Sequence, residues 1–192
     1  MPIIGETAEG AVDLFVDHIN EVLSSTITTR KVASLFVSGK GLAQVSFPRR
    51  SGSPTATRLE TRFGGMRLLF SQVVGTSETE DQRHELHTRS YAYKLTMAAD
   101  RQPFVRWEYV KPKGRGDRKC RHHLQGPIKL ATGKANLALN EVHLPTGWVT
   151  FEEVLRFCIV DLKVTPLAKD WNTVLLESYR RFKEEFAPLG SA

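Results

Sequence analysis

The chain has 192 residues, 41% hydrophobic and 25% charged, the size and composition of one globular domain with a single sizeable core. No apolar run approaches the roughly 18 residues of a membrane span, and the start Met1-Pro2-Ile3-Ile4-Gly5-Glu6 lacks the basic and apolar stretches of a signal peptide. The formal net charge is +6, which speaks for an anionic partner and says nothing about the fold.

In chain order, residues 8–23 read as an amphipathic helix. Val12, Phe15, Val16, Ile19, Val22 and Leu23 recur at three- and four-residue spacing and so share one face. Thr7 or Glu6 can open it, and Ser24-Ser25-Thr26 breaks the pattern. Apolar runs at 32–37 and 42–47 flank Gly39-Lys40-Gly41 as a hairpin. Residues 48–57, with two prolines, a glycine and four Ser/Thr residues, read as a loop. Residues 66–74 alternate as a strand, with Met66, Leu68 and Phe70 on one side, and 78–82 form an acidic turn.

Residues 84–97 alternate again. The simple period of two places His87, Arg89, Tyr91, Tyr93 and Leu95 on one face and Leu86, Thr88, Ser90, Ala92 and Lys94 on the other. A strand at 104–110 puts Phe104, Arg106 and Glu108 opposite Val105, Trp107 and Tyr109, and it is expected to pair with the preceding strand as an antiparallel hairpin. A basic loop follows at 111–121, then a strand-like Leu137-Ala138-Leu139. The segment Thr150-Phe151-Glu152-Glu153 has the spacing of a capping box and opens a helix to about Leu162. Pro166 separates it from a last helix capped by Asp170, with Trp171, Val174, Leu175, Tyr179, Phe182 and Phe186 as its apolar stripe.

Strands in a run, with helices before and after, predict a single α+β domain over residues 1–192. Its expected form is an antiparallel sheet of roughly four to six strands, with an N-terminal helix and two C-terminal helices packed against it. The two cysteines are Cys120 and Cys158, and Cys158 falls on the buried face of a helix. Unpaired thiols of this kind suit a reducing, cytoplasmic setting.

The charge is concentrated. Between Arg101 and His122 stand eight basic residues, Arg101, Arg106, Lys111, Lys113, Arg115, Arg118, Lys119 and Arg121, against two acids, Glu108 and Asp117. That local excess equals the net charge of the whole chain, so the segment is a candidate phosphate-binding patch. It also reads as a solvated loop with no specific partner.

The phosphate loop of NTPases, the serine nucleophile elbow, the zinc-protease helix and paired Cys-x-x-Cys motifs are all absent. What remains is Arg118-Lys119-Cys120-Arg121-His122-His123 beside the strand of Arg106, Glu108 and Tyr109. Histidines titrate near neutrality, so His122 or His123 can serve as acid or base, with Glu108 in the complementary role. Arg106, Lys111, Lys113, Arg115, Arg118, Lys119 and Arg121 can hold phosphate oxygens. Such a set cleaves RNA through a 2′,3′-cyclic phosphate without metal or cofactor. Adjacent strand residues point to opposite faces, so only one of the two histidines enters a given site unless the backbone turns there. Tyr91, Tyr93 and Tyr109 are candidate base-stacking residues, with the hydrophobic core as their alternative place. Cys120, His122 and His123 are spaced too tightly for a normal tetrahedral zinc site, and His84-Glu85-Leu86-His87 in a strand reads as structural.

Over residues 67–162, four motifs occur in one order, with a loop at Asp100 between the first and the second. They are Ser90-Tyr91-Ala92-Tyr93, Phe104-Val105-Arg106-Trp107-Glu108-Tyr109, Arg121-His122-His123-Leu124, and Leu144-Pro145-Thr146-Gly147-Trp148-Val149-Thr150-Phe151-Glu152-Glu153-Val154-Leu155. In that order they resemble the TumE family of bacterial toxins, the proposed mRNA interferases of toxin–antitoxin systems. The departures are Glu108-Tyr109-Val110-Lys111-Pro112 after the arginine strand, and Gln125 near the place of a third histidine. The resemblance implies RNA as substrate and a cognate antitoxin protein as partner, with no membrane association. The alternative is a noncatalytic module that binds nucleic acid or protein.

Overall fold

The computed structural model describes residues 3–37, 41–49, 54–110, 122–126, 129–132, 135–138 and 144–185. The elements are β1 (Ile4–Gly5), α1 (Ala8–Thr26), β2 (Ala33–Val37), β3 (Leu42–Pro48), β4 (Pro54–Thr61), β5 (Gly64–Glu78), β6 (His84–Met97), β7 (Val105–Val110) and β8 (His122–Gln125). They continue with β9 (Lys129–Thr132), β10 (Ala135–Ala138), β11 (Leu144–Pro145), α2 (Phe151–Val160) and α3 (Trp171–Glu185). The strands β11-β8-β7-β6-β5-β4-β3-β2 form one antiparallel sheet, β1 adds to β6, and β9 and β10 pair separately. The α+β class and the three helices are as expected, and the sheet is wider than expected. No helix among the described residues is long and apolar enough to cross a membrane.

The long hairpin of β5 and β6 is the spine. Its β5 strand pairs with β4 over Gly64–Leu69 and with β3 over Ser71–Gly75. Met66, Leu68, Phe70 and Val74 alternate into the core at 3% exposure or less. Phe151 of α2 packs on the rings of Phe70 and Tyr93 at 4.6 and 6.0 Å, and α3 packs against α1 and α2. Burying one ring of this kind contributes roughly 1.5–3 kcal/mol.

Three local expectations are corrected. First, Val73 pairs with Ser90 but Val74 pairs with Thr88, so Arg89 is an extra residue, a β-bulge. The alternation inverts there. Leu86 and Thr88 share the buried face with Tyr91, Tyr93 and Leu95, and His87 and Arg89 do not. Second, the loop expected at 48–57 is strand from Pro54 onward. Its backbone finds partners on β3 at Pro54 and Thr55 and on β5 from Ala56 onward, Thr57 and Leu59 are buried, and Pro54 stands at the first strand position, where a missing N–H is tolerated. Third, α1 continues through Ser24-Ser25-Thr26. Their polarity does not stop it, because Thr26 Oγ1 donates to the Val22 carbonyl at 2.6 Å and Ser24 Oγ to the Glu21 carbonyl at 2.9 Å.

The helix starts follow their caps. The Thr7 hydroxyl accepts from the Gly10 amide at 3.0 Å. The capping box of α2 is complete: Glu153 N–H donates to Thr150 Oγ1 at 3.2 Å, and Thr150 N–H donates to Glu153 Oε2 at 2.7 Å. Two glycines are required by geometry. Gly64 has φ +100° in the β4–β5 turn, and a Cβ on Gly126 would stand 2.3 Å from the Phe104 carbonyl oxygen.

A polar relay joins the three helices. Ser178 Oγ donates to Glu152 Oε1 and lies 2.8 Å from His18 Nε2. The serine has one hydrogen and gives it to the carboxylate, so His18 Nε2 carries the proton that the serine oxygen accepts. Burial, the largest influence, lowers the His18 pKa below 6.5. Glu152 and Glu21 oppose that shift, and Arg181 reinforces it.

Candidate phosphate site on the open face of the sheet

The register of β6, β7 and β8 separates the two adjacent histidines. Tyr91 stands opposite Tyr109, and Tyr109 opposite His122; Ala92 stands opposite Glu108, and Glu108 opposite His123. His122 therefore lies on the helix-covered side and His123 on the other.

On the covered side, His122 stacks on Tyr109 with centroids 4.4 Å apart and planes 7° apart, and Trp148 lies 5.0 Å from His122. Val149 N–H donates to Tyr91 Oη at 3.2 Å. Tyr91 Oη and His122 Nδ1 lie 3.3 Å apart, a hydrogen bond whose donor is set by the imidazole tautomer. Burial pushes the Tyr91 pKa up to about 12 and the Tyr93 pKa well above its ordinary value, so both phenols stay protonated. Tyr91, Tyr93 and Tyr109 are 3%, 2% and 8% exposed. They are core residues, and the expectation that they stack on bases is corrected.

On the open side, four side chains converge. Lys94 Nζ lies 3.2 Å from Glu108 Oε1; Arg106 Nε and His123 Nε2 each lie 3.5 Å from Glu108 Oε2. Lys94 and Arg106 stand opposite each other on adjacent strands, so Glu108 sees one cation diagonally and one two residues back along its own strand. Next to Arg106 on β8 is Gln125, buried, with its Oε1 lacking a hydrogen-bond partner. Farther across the same face, Arg58 stands opposite Arg67, whose Nη2 donates to the Asp100 carbonyl. Cations from four neighbouring strands thus line this face. Partly exposed ion pairs contribute about 1 kcal/mol or less, so stability alone is a weak reason for the cluster.

Of the sequence-predicted site residues, the structure brings together Arg106, Glu108 and His123 and leaves His122 on the opposite face. Lys111, Lys113, Arg115, Arg118, Lys119 and Arg121 lie outside the described residues, as does Cys120. Cys158 is a buried free thiol whose pKa burial pushes up to about 12. His87 Nε2 bonds Ser77 Oγ at 2.6 Å, in keeping with a structural reading of the His84–His87 pair. Among the described residues, no group of three or more His, Cys, Asp or Glu side chains is arranged to hold a metal. Sequence reasoning missed Lys94, Arg58, Arg67 and Gln125 as site residues. Strand alternation already placed Lys94 opposite the tyrosines, and pairing it with Arg106 was the signal that could have found it.

No family model, curated protein or solved structure matches the chain, so the chemistry of this face is read from its own geometry.

Proposed function

We propose that the open face of the sheet binds RNA through its phosphates and cleaves it, as a toxin of a toxin–antitoxin system. The observation that carries this reading is the convergence of Lys94, Arg106 and His123 on Glu108, on the side of the sheet away from α2. The two cations supply charge for the non-bridging oxygens of a pentacoordinate phosphorane. His123 and Glu108 are the proton-transfer pair. The 2′-oxygen forms a new bond to phosphorus as the bond to the 5′-oxygen breaks. One of the pair takes the 2′ proton and the other returns a proton to the leaving oxygen. The products are a 2′,3′-cyclic phosphate and a 5′-hydroxyl, with no cofactor called for. The motif order that resembles the TumE toxins supports the same reading. Under it, a cognate antitoxin covers the open face and the protein works in the cytoplasm, where the Cys158 thiol stays reduced.

A second reading has one observation in its favour. Glu108 already has two cations, Lys94 and Arg106, and the His123 imidazole as neighbours, so the cluster also suits a binding module without catalysis. RNA binding is common to both. Filter binding over a salt series is expected to show affinity falling by about one log–log unit per phosphate contact. The Lys94→Ala/Arg106→Ala variant is expected to bind all RNA sequences more weakly, with the slope reduced by roughly two. Binding that ignores salt, or a variant that binds like the wild type, overturns the phosphate site.

A further inference from the structure

On the covered side of the sheet, away from the phosphate cluster, a surface pocket of about 380 Å³ opens between β7, the segment 147–149 and α2. Its walls are the rings of Trp107, Trp148 and Phe157 with the side chain of Val154, and Glu153 stands among them. Among the described residues, no lysine, arginine or histidine lines it. Trp107 and Phe157 meet nearly at right angles, 77°, with centroids 5.7 Å apart. Glu153 Oε2 accepts from the Thr150 amide at 2.7 Å, which holds the carboxylate at the pocket.

We infer that this pocket binds an organic cation, a methylated ammonium group. Aromatic faces attract a cation through their quadrupoles, tryptophan most strongly, and rings set at an angle can flank a rounded, methyl-covered charge. The Glu153 carboxylate supplies the opposite charge. A nucleobase fits less well. It is flat and would be held best between parallel rings, and its edge carries acceptors as well as donors, which a lone carboxylate cannot satisfy.

Choline is the probe, with 3,3-dimethylbutan-1-ol as its uncharged isostere, both titrated into the full chain at constant ionic strength. The readout is the NMR shift of each indole Nε1–H, which separates Trp107 and Trp148 from Trp171, a residue outside the pocket. Choline is expected to shift Trp107 and Trp148 saturably and leave Trp171 in place. The isostere is expected to bind about fivefold more weakly or worse. Glu153→Gln keeps the capping box, which glutamine also completes, so the variant stays folded. It is expected to weaken choline roughly two- to fivefold without changing the isostere. Trp107→Phe keeps a ring and is expected to weaken choline again. Equal binding of choline and the isostere overturns the inference. So does cytidine or adenosine displacing choline at lower concentration, which would assign the pocket to a nucleobase. No saturable shift by choline up to roughly 10 mM in the folded protein also overturns it.

Discussion

The two faces of the central sheet are made from the same strands and do opposite things. On the covered face, Phe70, Tyr91, Tyr93 and Tyr109 pack with Phe151 and Trp148 into a continuous aromatic layer. On the open face, one residue away along each strand, Lys94, Arg106 and His123 gather on Glu108. His122 and His123 are chain neighbours, yet one stacks on a tyrosine and the other meets a carboxylate. A period of two lets one strand carry both core and site, and it means that adjacency in sequence does not make a catalytic pair.

If the faces divide labour in this way, their responses to substitution should separate. The largest stability loss is expected on the covered face. Phe70→Ala removes the ring that meets Tyr93 and Phe151 and should cost about 3–5 kcal/mol in denaturant unfolding. Arg106→Ala in the same assay should stay within about 1 kcal/mol of the wild type. Equal losses would erase the distinction between the faces.

A smaller effect is expected from the helix layer above the covered face. The folded-state pKa of His18 lies below 6.5, so between that value and 6.5 the unfolded chain binds more protons than the folded one. The contribution is therefore complete above pH 6.5 and is lost as pH falls toward the folded-state pKa. The slope is at most about 1.4 kcal/mol per pH unit. Denaturant midpoints measured from pH 8 to 5 should show the fall, and His18→Gln should flatten it. An unchanged slope in the variant would assign the acid sensitivity to other groups.

Much of this could be read from the chain, and the limits have physical causes. Local rules were enough for the stripe from Val12 to Leu23, for the capping box at Thr150 and for the opposed directions of His122 and His123. The bulge at Arg89 was not legible, because an extra residue is defined only by the partner strand. Pro54 to Thr57 has turn composition but gains its ladder from β3 and β5, a tertiary effect that propensity does not contain. The site followed the same division. Arg106 and Glu108 share a face by alternation within one strand. Lys94, Arg67 and Gln125 join them through register across strands. The tyrosines were ambiguous because a stacking platform and a core face carry the same residues, and only the position of α2 decides between them.

The central claim is that His123, and not its neighbour, does chemistry with Glu108. It is tested most directly by incubating labelled RNA with the pure protein in EDTA, using the wild type, His122→Ala and His123→Ala. The account predicts cleavage by the wild type to 2′,3′-cyclic phosphate ends. His123→Ala should lose on the order of 10²–10⁴ in rate, while His122→Ala keeps most of the activity. Full activity in His123→Ala, or no cleavage by the wild type, would contradict it.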